Sequence, residues 1–145
     1  LITGADSGIG RAVAVLFARE GADVAVAYHD SDDDAKETRR CIEAEGQRCL
    51  LLQGDVKDRA WCESAVQQTV DTFGRLDVLV NNAGSFGGGG PIDQVSDEDW
   101  DAALAVNLTG YFRCARAAWR QRPWRIHAPI PPMMTPTITA TNRNT

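Results

Sequence analysis

Three glycines, Gly4, Gly8 and Gly10, follow directly on an apolar pair, Leu1-Ile2, and stand at the head of a helical repeat. No other feature constrains the chain as tightly. The spacing describes a strand, a tight turn and a helix start, the arrangement that holds a pyrophosphate. Glycine is needed where the backbone takes positive φ, or where a Cβ would block an approaching phosphate. The helix start then offers free N–H groups and the positive end of its dipole to an anion.

The sequence beyond the turn alternates strand and helix. Ile9, Ala12, Val13, Leu16 and Phe17 recur at three and four and predict an amphipathic helix ending at Gly21. Asp23 to Tyr28 reads as a short apolar strand. Asp30, Asp32, Asp33 and Asp34 crowd the first turn of a second helix, which stops near Gly46. Cys49 to Leu52 is the third strand. Lys57 to Phe73 is a helix closed by Gly74, with Ala65, Val66, Val70 and Phe73 turned inward. Leu76 to Val80 is the fourth strand, running into Asn81-Asn82-Ala83-Gly84. A loop of glycines, Gly87 to Gly90, leads to Pro91, and Ser96 opens a long helix to about Arg120. The strands are apolar throughout, as in a parallel sheet covered on both faces. Crossovers of this length are right-handed. The expected architecture is a doubly wound α/β sheet with its ligand at the carboxyl ends of the strands, where the order reverses between the first and the fourth.

Composition narrows the classes. The chain of 145 residues is one domain's worth and carries a net charge of −5, which disfavours nucleic acid as a partner. No apolar run approaches the ~20 residues of a membrane helix. The chain opens inside a strand without methionine, so its start reads as truncated. Cys41, Cys49, Cys62 and Cys114 are widely spaced with no C-x-x-C. They read as buried free thiols in a reducing, cytoplasmic compartment, and no metal site is expected. His29 and His127 are isolated, and the four tryptophans read as packing or partly exposed residues.

Four markers arrive in order: Thr3-Gly4-x-x-x-Gly8-Ile9-Gly10, Asp55-Val56 after the third strand, Asn81-Asn82-Ala83-Gly84 after the fourth, and Asn107 within Val106-Asn107-Leu108-Thr109. Together they resemble the short-chain dehydrogenase/reductase family over residues 1 to about 120. The resemblance implies a Rossmann-like fold, broken off after the fourth strand and the helix behind it. It implies an oxidoreductase that moves hydride between NAD or NADP and an alcohol or carbonyl substrate. Gly4, Ser7, Gly8, Ile9 and Gly10 would then wrap the pyrophosphate and adenosine ribose. Asp55 would accept from the adenine amino group, with the Val56 backbone beside it. Asn82, Ala83 and Gly84 would line the adenosine side and tie the fourth strand to its neighbours. Asn107 would hold a kink in the long helix and a water in the proton relay. Each has a plainer reading: a structural turn for the glycines, a helix N-cap for Asp55, turn chemistry for Asn81-Asn82, a solvated polar residue for Asn107.

The family's chemistry also needs a serine and a Tyr-x-x-x-Lys motif beyond the asparagine. Here Asp32 stands four residues after Tyr28 and Ala115 four after Tyr111; no lysine follows Lys57 and no serine follows Ser96. Asn107 is the sole member of the catalytic set in this sequence, so the chain alone is expected to be inactive. A non-catalytic dinucleotide-binding module is the alternative.

Residues 121–145 contain no Gly, Asp, Glu or Lys and hold five of the 6 prolines. This stretch should be an irregular tail behind the dinucleotide-binding part, 1–120. Either it is read in the wrong frame or it is the new tail of a short paralogue; the abrupt change of composition favours the first. With no later strand, the fourth becomes an edge and the product is expected to be marginal and aggregation-prone. Its oligomeric state does not follow from the sequence. The strand that an acidic residue would close to select NAD ends instead in Tyr28-His29. The nearby aspartates should repel a 2′-phosphate, a slight lean to NAD over NADP.

Overall fold

The structure, a computed structural model, describes residues 1–86 and 90–121. The loop residues 87–89 and the tail 122–145, with Trp124 and His127, lie outside the described residues. The order is β1 (Ile2–Thr3), α1 (Gly8–Arg19), β2 (Val24–Tyr28), α2 (Asp32–Ala44), β3 (Cys49–Gln53) and α3 (Arg59–Phe73). A 3₁₀ turn (Ile92–Gln94), α4 (Asp97–Leu104), a π-helical segment (Ala105–Gly110) and α5 (Tyr111–Arg120) follow.

The strands form a parallel sheet in the order β1-β2-β3. Ile2 lies opposite Val26, and Val24 to Tyr28 lie opposite Cys49 to Gln53. Alternate residues of β2 enter opposite layers, as the two-residue period of a strand requires. Val24 and Val26 pack with Ile2, Ala14, Ala18 and Ile42, under α1 and α2. Ala25 and Ala27 pack with Leu52, Ala65, Val66 and Ala117, under α3 and α5. Helices on both faces of a parallel sheet make the doubly wound architecture that the strand composition predicts.

The segment expected as the fourth strand is shorter in its pairing than its apolar run predicts. Leu76 to Val80 lies beside β1, but its one bridge is Ile2 with Val80. Three main-chain bonds hold it there. Thr3 N–H donates to Val80 O (3.0 Å), Val80 N–H to Leu1 O (2.9 Å) and the Leu1 amino group to Val78 O (3.0 Å). The ladder ends because the next N–H groups, of Asn82 and Ala83, turn to the Thr3 hydroxyl instead of a carbonyl. The place of the segment is as expected: β2 and β3 lie to one side of β1 and residues 76–80 return to the other. The point where the chain reverses its winding therefore falls between β1 and Val80.

Two helices differ from the reading of their periods. In α1 the buried stripe is Gly10, Ala14 and Ala18, whereas Ile9 and Leu16 are exposed. Gly10 meets the turn, Ala14 and Ala18 pack on β1 and β2, and Val13 and Phe17 pack partly buried against the same cluster, so Ile9 and Leu16 fall outside the seam. α3 starts at Arg59, not Lys57, because Asp58 is its N-cap and accepts from Ala60 N–H at 2.8 Å. Likewise Asp30 precedes α2, whose first turn holds Asp32, Asp33 and Asp34. The four cysteines are free; Cys62 and Cys114 are buried, but Cys41 and Cys49 are only half-buried. Asp58→Ala should cost about 1 kcal/mol, the usual worth of such a cap. The drop would be read from the midpoint of urea unfolding.

Candidate functional site

The turn between β1 and α1 needs its glycines for two different reasons. Gly4 and Gly8 have φ of +62° and +53°. A Cβ on Gly4 would lie 2.8 Å from the Ala83 Cα, and one on Gly10 only 2.1 Å from the Gly4 carbonyl oxygen and 2.6 Å from Asn82 Nδ2. Gly8 has open space around it, so there the backbone conformation alone asks for glycine. Ser7 is the N-cap of α1, yet its hydroxyl makes no capping bond; it donates to Asp6 Oδ2 at 3.4 Å. The first-turn N–H groups therefore remain available to an anion or to water.

Across the turn stands the 81–85 segment. Asn82 Nδ2 donates to the carbonyls of Thr3 (3.0 Å) and Gly4 (2.8 Å). The backbone N–H groups of Asn82 and Ala83 both donate to Thr3 Oγ1 at 3.0 Å. Asn82 is thus a tie between the end of β1 and the segment beside it, more than the turn residue of its plainer reading. Thr3 is the counterpart of that tie, and neither periodicity nor spacing marks it as more than a motif letter.

At the end of β3, Asp55 Oδ1 accepts from Lys57 N–H at 2.8 Å, closing the turn before α3. Asp58, not Asp55, caps that helix, which removes the plainer reading of Asp55. The second carboxylate oxygen lies 3.3 Å from Lys57 Nζ and 3.7 Å from His29 Nε2. His29 Nδ1 is 3.6 Å from Asp30, so the histidine that stands isolated in sequence sits between two carboxylates in space. Val56, 8% exposed, packs on Cys62 and Cys114. A hydrogen bond between these two thiols, together with burial, pushes Cys114 well above the usual thiol range, the bond being the larger cause.

Asn107 lies inside the π-helical segment. Its Oδ1 accepts from Ser85 N–H (2.9 Å) and its Nδ2 donates to Ser85 O (2.7 Å). The side chain therefore reads both backbone groups of one residue, and the widened helical turn brings it there; such bulges favour functional positions. Gly84 faces the same oxygen, and a Cβ on it would lie 3.5 Å from Asn107 Oδ1, in ordinary contact.

These parts enclose a cleft of about 340 Å³ at the carboxyl ends of the strands. Gly4, Asp55, Val56, Ala83 and Gly84 line it directly, joined by Thr3, His29, Asp30, Trp61 and Val106. Ser7, Gly8, Ile9 and Gly10 continue from Gly4 into the first turn of α1, where Ile9 is 77% exposed. Asn82 and Asn107 act on the walls through backbone bonds. Trp61 joins the site without a signal in the sequence: its Nε1 donates to Gln53 O at 2.7 Å and its ring lies against Gly54. A second cavity, of about 270 Å³, opens at the amino ends of the strands between Phe17, Phe73 and Leu76, away from every one of these groups. Among the described residues, no helix is long and apolar enough to cross a membrane and no cluster of acidic, His or Cys side chains could hold a metal ion.

Known proteins resemble the chain in sequence and in fold. An uncharacterized oxidoreductase of Bacillus subtilis, YhdF, is 50% identical over 118 residues, which is 81% of this chain and 41% of that protein. A short chain dehydrogenase of Burkholderia cenocepacia, solved in complex with NADP, superposes with a TM-score of 0.78 at 40% identity. It covers 83% of this chain, which spans 49% of that one. Carveol dehydrogenase of Mycobacterium avium, solved with NAD, gives 0.78 at 32% identity, over 83% of this chain and 47% of that one. The chain thus spans about half or less of the length of the proteins it matches. The family model described as short chain dehydrogenase matches residues 1–124, from the glycine turn through the helix that carries Asn107. The family model, the sequence identities and the superpositions agree: the chain belongs to the short-chain dehydrogenase/reductase family.

Proposed function

We propose that this chain is the dinucleotide-binding part of an NAD(P)-dependent oxidoreductase. The observation that carries the reading is the close packing of Gly10 on the Gly4 carbonyl and Asn82, which leaves no room for a Cβ at Gly4 or Gly10 beside free helix N–H groups. Gly4, Ser7, Gly8, Ile9 and Gly10 would hold the diphosphate and adenosine ribose. Asp55 and Val56 would hold the adenine, and Ala83 and Gly84 the facing wall. The nicotinamide supplies or accepts the hydride when the coenzyme is bound. In a whole protein the substrate would be an alcohol or carbonyl compound, with Asn107 ordering the helix and a water beside the reacting groups. The sequence holds no Tyr-x-x-x-Lys and no serine beyond Ser96. This chain by itself should therefore bind coenzyme without turning over alcohols, as a non-catalytic module would. Its free thiols support a reducing, cytoplasmic setting.

NAD is the favoured coenzyme. Asp30 and Asp55 both line the cleft, and Asp32 to Asp34 follow at the start of α2. A 2′-phosphate would meet carboxylates there, and one such contact in partly solvated surroundings is worth roughly a fivefold preference. Fluorescence titration with NADH and NADPH measures it. Tighter NADPH binding would reverse the preference, and absence of binding by either would remove the dinucleotide reading.

A further inference from the structure

We propose that Arg11 is a positioning residue for the diphosphate turn, acting through the Asp6 carbonyl with Thr38 as its partner; this rests on the dinucleotide reading above. Arg11 Nε and Nη2 both donate to Asp6 O, at 3.0 and 2.6 Å. Nε also donates to Thr38 Oγ1 at 2.8 Å, and that hydroxyl donates in turn to Asp6 O at 2.8 Å. Nη2 reaches further, to the Asp34 carbonyl at 3.2 Å and the Asp34 carboxylate at 3.0 Å. Thr38 is completely buried, so this network is fixed from beneath by α2.

Nε and Nη2 are thereby committed to the protein: they point to the turn and to α2, where Asp34 offsets the charge. What it governs is direction. In a planar trans peptide the carbonyl of one residue and the N–H of the next point opposite ways. Three donors on Asp6 O therefore set the orientation of the Ser7 N–H, the first donor ahead of α1. The turn's main-chain donors are held in place before any anion arrives, which lowers the ordering cost of binding. A lysine at this position would bring a single ammonium where the fork now meets four acceptor groups.

The test compares ADP, adenosine and NADH binding by titration calorimetry in the wild type and in Arg11→Met, Arg11→Lys and Thr38→Val. Arg11→Met should weaken ADP and NADH about tenfold, the usual scale for losing bonds to a charged group, and leave adenosine within about twofold. Thr38→Val, isosteric and buried, should act in the same direction by about threefold, and Arg11→Lys should fall between wild type and Arg11→Met. The ratio of ADP to adenosine affinity is the decisive readout, since general loosening of the fold would move both ligands together. Equal losses for both, or unchanged ADP binding in variants of a wild type that binds it, overturn the assignment of Arg11 alone. A wild type that binds neither ADP nor NADH overturns the dinucleotide reading and this one with it. If Arg11→Met does not fold, Thr38→Val answers the same question.

Discussion

Gly10→Ala is expected to abolish measurable NADH binding and to destabilise the chain by about 3 kcal/mol, lowering the melting temperature by roughly 10 °C or more. The added Cβ would stand 2.1 Å from the Gly4 carbonyl oxygen, 2.6 Å from Asn82 Nδ2 and 2.8 Å from the Ala5 Cα. Two of those atoms are backbone and the third is held by bonds to two carbonyls, so none is the loose end of a flexible side chain. Relief requires α1 to lift off the turn, which would separate the first-turn N–H groups from the loop that directs the phosphate to them. A control isolates this effect from backbone strain. Gly10 lies outside the positive-φ region, so its cost is the clash alone, whereas Gly46 has positive φ, +83°, and a Cβ there meets nothing within 4 Å. Gly46→Ala should cost about 1 kcal/mol and leave NADH affinity unchanged. Circular dichroism melts and NADH titration of both variants check the pair. A Gly10→Ala protein that binds NADH within twofold of wild type would show that the helix does not need to press on the turn.

How far a sequence discloses such a site depends on how local each interaction is. The glycine turn is legible because its demand falls on residues four and two apart, and the helices because period and capping residues are local. The position of the 76–80 segment is legible from its apolar run. Its failure to build a ladder is not, because that follows from where the Asn82 and Ala83 N–H groups go, some eighty residues along the chain from Thr3. The seam of α1 escapes its period for a related reason. Hydrophobicity assigns Ile9 and Leu16 to the core, but the face turned to the sheet is the one that carries Gly10, Ala14 and Ala18, and both residues lie off it. Asn107 is marked by resemblance, yet its partner Ser85, 22 residues away, becomes visible only once the π-helical segment places it. His29, Trp61 and Arg11 carry no periodic signal at all. They become part of the site through contacts between the ends of different elements, which a one-dimensional pattern does not encode.

The buried hydroxyl of Thr3 offers the second large effect. Thr3 is 1% exposed, and its Oγ1 accepts from the N–H groups of both Asn82 and Ala83 while facing Val80 O at 3.4 Å. Valine fills nearly the same volume, so Thr3→Val leaves packing intact and removes the acceptor of two N–H groups together with the long bond the hydroxyl donates to Val80 O. Two main-chain donors then lose their partner in a part-buried place, at about 1–3 kcal/mol each. The expected loss is therefore about 3 kcal/mol or more, large against the marginal stability of any single domain. Because the same two N–H groups place Ala83 in the cleft wall, NADH affinity should fall as well. Thr3→Ser supplies the contrast. It restores the acceptor and deletes a methyl group, for which about 1 kcal/mol is the ordinary cost. If the hydroxyl is what ties the 76–85 segment to β1, serine is the milder substitution and valine the severe one, although hydrophobicity and β-propensity rank them the other way. Urea unfolding of the two variants decides the order, and a valine variant more stable than the serine one would mean that packing, not the hydroxyl, holds these segments together.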